Sequence, residues 1–412
     1  MKCFPSERAG LAWFCVLALL SALVTVALIA KSGSAMPYAD ERDYFDQAQR
    51  LFAGQGYVLE DGTPTAYRPP GYPALLAPFT AWEHGVVAAR MMNVAALLMA
   101  LVLMRHLVWR HAPKWAWLAG GAALLYPVWM YAASTLYPQI LCMVLLLALV
   151  CLITRDDLRW KHIGLAGVLL GGLILVAPSF QLIAPFFAFF ILFAQRGSVR
   201  RRWWQTVALA ATAVIVVAPW IWRNYQVFDT FVPVSTNGSV NLLLGNSEFT
   251  EPNSGIYVNV DKYLAVAEHL PELEKARALQ RFAVEWISQH PGDAAWLYAK
   301  KVLNYFNYKA DNVTTPGHLP SGKDLVMLLT YYPVLLVVVV RLMFHRRYPL
   351  SRVEWLMASI YFVNALLAAI FFTRLRFRLP FDGLLWVLML TSMAAFLGQR
   401  GLLETAPGER QR

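Results

Sequence analysis

The chain is short of cysteine and short of charge. Its four cysteines, Cys3, Cys15, Cys142 and Cys151, fall in the N-terminal tail and in apolar runs, and none lies in the polar stretches 31–85 or 222–323. A disulfide-stapled outer domain is therefore excluded. Only 15% of the 412 residues are charged, against about 25% for an average soluble domain. The sequence also lacks a glycine-rich phosphate loop, a serine nucleophile elbow and any Cys/His metal spacing, so cytoplasmic nucleotide chemistry has no visible seat in it. The eight histidines, His84, His106, His111, His162, His269, His290, His318 and His345, are dispersed. No metal site is predicted from them.

What is abundant is apolar length. With 58% hydrophobic residues gathered into runs of the roughly 20 residues that cross a bilayer, the chain reads as a polytopic, all-α membrane protein. Spans are predicted at 11–30, 86–104, 115–132, 136–153, 162–177, 180–194, 204–221, 324–342, 354–372 and 380–397. The first is too long for a signal peptide's apolar region and reads as an uncleaved helix. Basic residues alternate with these spans. Arg105, Arg110 and Lys114, then Arg155, Arg159 and Lys161, then Arg196 and Arg200–Arg202, then Arg341, Arg346, Arg347 and Arg352 share one side, which the positive-inside rule makes cytoplasmic. The net charge of +11 then reflects topology and contact with anionic membrane lipids, and no nucleic acid is needed. The predicted organisation has four parts. Residues 1–222 form an N-terminal transmembrane module whose first outer loop, 31–85, is catalytic. An extracytoplasmic subdomain at 223–323 follows, then C-terminal transmembrane helices at 324–399 and a cytoplasmic tail at 400–412.

Two features break the pattern of inert loops. Asp40-Glu41-Arg42-Asp43-Tyr44 follows the first span, and Tyr67-Arg68-Pro69-Pro70-Gly71-Tyr72-Pro73 leads back to the membrane. Acids there either cap a short helix, where carboxylates are favourable, or serve a site at the membrane surface. Tyr44, Ala48 and Leu51 recur at helical spacing and predict an amphipathic helix within 38–60. The second feature is Arg374, Arg376 and Arg378 on the outer side before the last span. If extended, they point to one side and could fork a lipid phosphate; otherwise they snorkel to headgroups. Asp382 is expected to pair with Arg378. In the second outer segment a helical stretch over 261–308, with Leu264, Leu270, Leu273, Ala276, Leu279, Phe282 and Trp286 as its apolar side, should be divided at Pro271 and Pro291-Gly292.

In order along the chain, Asp40-Glu41-x-x-Tyr44, Arg68-Pro69-Pro70-Gly71-Tyr72-Pro73, Pro219-Trp220-x-x-Arg223-Asn224, Ser235-Thr236-Asn237-Gly238 with Asn241 to Asn246, and Arg376-Phe377-Arg378-Leu379-Pro380 resemble bacterial glycosyltransferase family 39. Its members include protein O-mannosyltransferases and the aminoarabinose transferases of lipid A. The resemblance implies a GT-C-like fold of about ten helices and transfer of a sugar from a polyprenyl-phosphate-linked donor, with inversion, on the extracytoplasmic face of the bacterial inner membrane. The acceptor would be an envelope glycan, lipid or protein. It implies Asp40 as base or acceptor-orienting acid with Glu41 as its partner, and Arg376 and Arg378, joined by Arg374, Arg223 and Lys301, as phosphate-binding cations. Tyr44, Tyr67, Arg68, Tyr72, Asn237 and Asn241 would line the substrate cavity. No cofactor is implied with certainty, and a divalent cation is left open. The chain departs from the family at Gln139, where many relatives carry Glu, and at Ala177, where many carry Arg. The rival readings are a lipid-linked sugar flippase or carrier-binding protein, and an oligosaccharide ligase or polymerase.

Overall fold

The computed structural model describes residues 5–308 and 322–398. The tail 400–412, Cys3, and residues 309–321 of the expected 223–323 segment, His318 among them, lie outside the described residues. Six helices there are long and apolar enough to cross a membrane: Glu7–Ser32, Gly85–His111, Val199–Phe228, Gly322–Met343, Arg352–Ala369 and Leu375–Phe396. This is an integral membrane protein. Gln139–Ile153, Trp160–Val176 and Pro178–Ala194 are shorter apolar helical segments. The stretch expected as one span at 115–132 is instead broken, with 3₁₀ turns over Pro113–Gly121 and short helices at Ala122–Leu125 and Val128–Ala133. Gly120-Gly121 and Pro127 interrupt it, each weakening a continuous helix.

The last helix is the hub. Of its most apolar window 83% is buried, against 22% for Val199–Phe228, so one is surrounded by protein while the other offers most of its surface to lipid. Leu375–Phe396 packs against Gly85–His111, Gln139–Ile153, Gly322–Met343 and Arg352–Ala369. The peripheral helix is held through Gly167 and Gly171 of Trp160–Val176, where an added Cβ would lie 2.5 Å from the Thr212 side chain and 2.7 Å from that of Val216. This is the small-residue contact that lets helix backbones approach closely in a membrane.

Between the first two long helices, residues Ala39–Phe52 form the expected amphipathic helix and bury Tyr44, Phe45 and Ala48. The 261–308 stretch also breaks where proline predicts, into Asp261–Ala267, Glu272–Gln289 and Pro291–Tyr305. Leu243, Val258, Val260, Ala278, Leu279 and Ala283 form a small core there, and it includes Phe372 from the approach to the last helix. This core meets the approach to the last helix so tightly that a Cβ on Gly245 would overlap the Phe371 carbonyl oxygen. The polar segment is thus built onto the residues that precede Arg376.

Candidate active site

A cavity of about 310 Å³ lies where these parts converge, within the range usual for small-molecule sites. The first polar segment contributes Asp40, Tyr44, Tyr67 and Arg68; the second contributes Ser235, Asn237 and Asn241; the last helix contributes Arg376, Phe377 and Phe381. Tyr137, just before Gln139–Ile153, Gln139 at its start, and Asn364, Leu367 and Ala368, from the end of Arg352–Ala369, complete much of the wall. The family departures at Gln139 and Ala177 both line it.

Asp40 sits in the first turn of its helix and uses both carboxylate oxygens. Arg68 Nη2 donates to Oδ1 at 2.5 Å, and Arg376 Nη1, 336 residues away in sequence, donates to Oδ2 at 2.5 Å. Arg68 Nη2 also donates to Asp43 at 2.7 Å. Burial pushes the Asp40 carboxyl up, but the guanidinium groups of Arg376 and Arg68 outweigh it and hold the group below its ordinary value. The arginines are not saturated. The Nε atoms of Arg68 and Arg376 are buried without a hydrogen-bond partner, while their planes lie over the rings of Tyr44 and Tyr67, and of Tyr137 and Phe377, respectively.

The backbone carrying Arg68 is pinned from several directions. Proline at 69 and 70 removes backbone donors, and the Tyr57 hydroxyl contacts the carbonyl oxygens of Arg68 at 3.1 Å and Pro69 at 3.2 Å. Arg223 donates to the carbonyls of Thr65 at 2.8 Å and Tyr57 at 2.6 Å. Glu272 accepts from Thr65 Oγ1 at 2.6 Å, Ala66 N at 3.0 Å and Thr236 Oγ1 at 2.7 Å. One carboxylate therefore clasps the segment bearing Tyr67-Arg68 to the loop bearing Ser235 and Asn237. Sequence reasoning passed over Glu272, Tyr137 and Asn364, because nothing local marks them.

Several expected site residues are placed elsewhere. Glu41 does not line the cavity; it is fully buried, accepting from Arg90 Nη2 at 3.1 Å and Leu136 N at 2.8 Å. Arg90 also donates to the carbonyls of Gly33 and Ala35, so this pair ties the end of the first helix to its neighbours. Tyr72 is buried behind Tyr44, edge to face at 5.4 Å, with its hydroxyl accepting from Asn93. Arg223 is a brace for the first polar segment. Lys301 is 1% exposed and donates to the carbonyls of Gly245 and Phe371 and to Asn246 Oδ1; burial pushes it down to about 7.

The three arginines do not share a side, because helix begins at Leu375 and alternate residues on a helix diverge. Arg374 caps that start in extended geometry, over the Tyr257 ring. Arg378 is fully buried, paired with Asp382 at 3.2 Å as expected, and donates to the carbonyls of Tyr305 and Asn307 and to the Tyr126 hydroxyl. Of the five expected phosphate-binding cations, Arg376 alone lines the cavity. Asp40, Tyr44, Tyr67, Arg68, Asn237 and Asn241 join it there. Among the described residues no group of three or more His, Cys, Asp or Glu could hold a metal ion.

Residues 67–265 match the model of glycosyltransferase family 87. The match covers just under half the chain, takes in Arg68, Gln139, Asn237 and Asn241, and leaves Asp40 and Arg376 outside it. It supports a glycosyltransferase, through family 87 and not the family 39 that the motifs resemble. No curated protein matches the chain significantly. Among solved structures, ArnT from Cupriavidus metallidurans is similar over 95% of this chain and 78% of its own in the crystal structure bound to undecaprenyl phosphate, at 13% identity and a TM-score of 0.42. The apo crystal structure of that protein gives 14% identity and a TM-score of 0.41 over 95% and 76% of the two chains.

Proposed function

We propose that this membrane protein transfers a sugar from a polyprenyl-phosphate-linked donor to an acceptor hydroxyl on the extracytoplasmic face, with inversion. One observation carries the reading: Asp40 and Arg376, from opposite ends of the chain, meet in the wall of one cavity beside Arg68. The family 87 match supports the transferase class.

The chemistry asks for few groups. As the acceptor oxygen bonds to the anomeric carbon, the carbon–oxygen bond to phosphate breaks and the phosphate leaves with the electron pair. Arg376 and Arg68 neutralise the charge that develops on the leaving oxygen. Asp40 takes the acceptor's proton. Asn237, Asn241, Gln139 and Asn364 offer amide donors and acceptors suited to sugar hydroxyls. The apolar wall of Leu367, Ala368, Phe371 and Phe381 suits the isoprenoid end.

The test is release of polyprenyl phosphate from labelled polyprenyl-phosphate sugars by membranes containing the chain or its Asp40→Asn variant, with envelope acceptors present. Release and acceptor labelling by the wild type alone is the expected result. Equal turnover by both removes Asp40 from the mechanism, and carrier binding without turnover by either favours a flippase or carrier-binding protein.

A further inference from the structure

The charged residues lining the cavity are Asp40, Arg68 and Arg376. Every other cation expected to bind phosphate is engaged elsewhere: Arg378 in the bundle core, Lys301 and Arg223 on backbone carbonyls, Arg374 against Tyr257. An anionic ligand entering this cavity therefore has two guanidinium groups to use, and both are already bonded to Asp40. Arg68 additionally holds Asp43. Two cations thus bond two carboxylates, Asp40 in the cavity wall and Asp43 outside it.

From this arrangement we infer that Asp40 is an internal stand-in for the donor's phosphate: the phosphate binds by taking Arg376 and Arg68 from Asp40, and that exchange frees the carboxylate to act as base. The inference rests on the proposed donor class. A carboxylate and a phosphate offer the same paired anionic oxygens to a guanidinium fork, so they compete for it. While both Asp40 oxygens accept short charge-assisted bonds, the carboxylate is a poor proton acceptor, in keeping with its lowered pKa. Once the phosphate holds the arginines, Asp40 loses the contacts that suppress its basicity. Water or acceptor in an unloaded site then meets no active base, and acceptor activation must follow donor binding.

The exchange makes a prediction with a sign opposite to that of an ordinary binding residue. Asp40→Asn should bind farnesyl phosphate more tightly than the wild type by about tenfold, the ratio to which ~1.4 kcal/mol of relieved competition corresponds. Arg376→Gln should bind it more weakly. In the Arg376→Gln background the gain from Asp40→Asn should shrink, because one of the two contested guanidinium groups is gone and only Arg68 remains. Binding is measured by titration calorimetry on the purified full chain in detergent, with inorganic pyrophosphate as a second probe and Asp40→Ala as a second variant should the amide fold poorly. Unchanged or weaker farnesyl phosphate binding by both Asp40 variants overturns the exchange and leaves the lipid-donor reading standing. A gain undiminished in the Arg376→Gln background also overturns it, since that is plain repulsion through space. If pyrophosphate shows the coupled gain while farnesyl phosphate binds no variant, the exchange stands and the polyprenyl donor falls. Binding of neither anion by any variant contradicts both.

Discussion

The turn of helix that opens the last span holds two arginines of opposite fate. Arg376 and Arg378 each bond an aspartate, yet Arg376 is 22% exposed in a cavity wall, its Nε without a partner, while Arg378 is fully enclosed by Asp382, Tyr126 and two carbonyls. A cation whose donors are consumed by the fold has nothing to offer a ligand. One with spare donors and an open side does. Two residues of spacing on a helix, about 200° of rotation at 3.6 residues per turn, separate the two roles.

The largest effect expected from breaking this contrast is on the enclosed pair. Arg378→Ala strands Asp382 in the bundle core and should cost about 3–5 kcal/mol of stability, seen as loss of folded protein in detergent and a large fall in melting temperature. Arg376→Ala should leave the melting temperature nearly unchanged, since partly exposed pairs contribute only about 0–1 kcal/mol. Its turnover per folded molecule should fall by about 10²–10³, the usual effect of removing one donor to developing negative charge. Glu272→Gln cannot accept from Ala66 N and from both threonines with one carboxamide. A loss of about 1–3 kcal/mol of local stability follows, measurable as faster amide exchange at Ala66 and Thr236 with exchange in the last helix unchanged.

The smallest effect concerns pH. Because the Asp40 carboxyl is held below its ordinary value of 3.8, the unfolded chain binds its proton first, and the stability from its two ion pairs is complete above that value. It is lost as pH falls through the lower, folded value. Wild type should therefore lose a little more stability than Asp40→Asn between pH 4 and pH 2, checked by acid titration of the melting temperature.

What sequence made legible follows the same division between local and distant causes. Apolar periodicity placed the amphipathic helix with Tyr44 and Ala48 inside, and proline placed the breaks at 271 and 291. The place of Asp382 just inside the last span foretold its pairing with Arg378. The grouping of Arg374, Arg376 and Arg378 on one side failed because it assumed extended chain where helix begins. Glu41 was misread as an active acid because Arg90 sits on another helix and Leu136 N lies 95 residues away, while its one local bond, from Tyr38 N, is the helix cap. Lys301 and Glu272 bond groups 70 and 206 residues away in sequence. Charge type alone does not tell a saturated ion from an available one; the count of its partners does.

The most direct test of this account compares Arg376→Gln with Asp382→Asn in release of polyprenyl phosphate from a labelled polyprenyl-phosphate sugar, normalised to folded protein. The account predicts a well-folded, nearly inactive Arg376→Gln and a less stable Asp382→Asn whose folded fraction still turns over. A fully active Arg376→Gln beside a folded but inactive Asp382→Asn would contradict it and move the working ion pair into the bundle core.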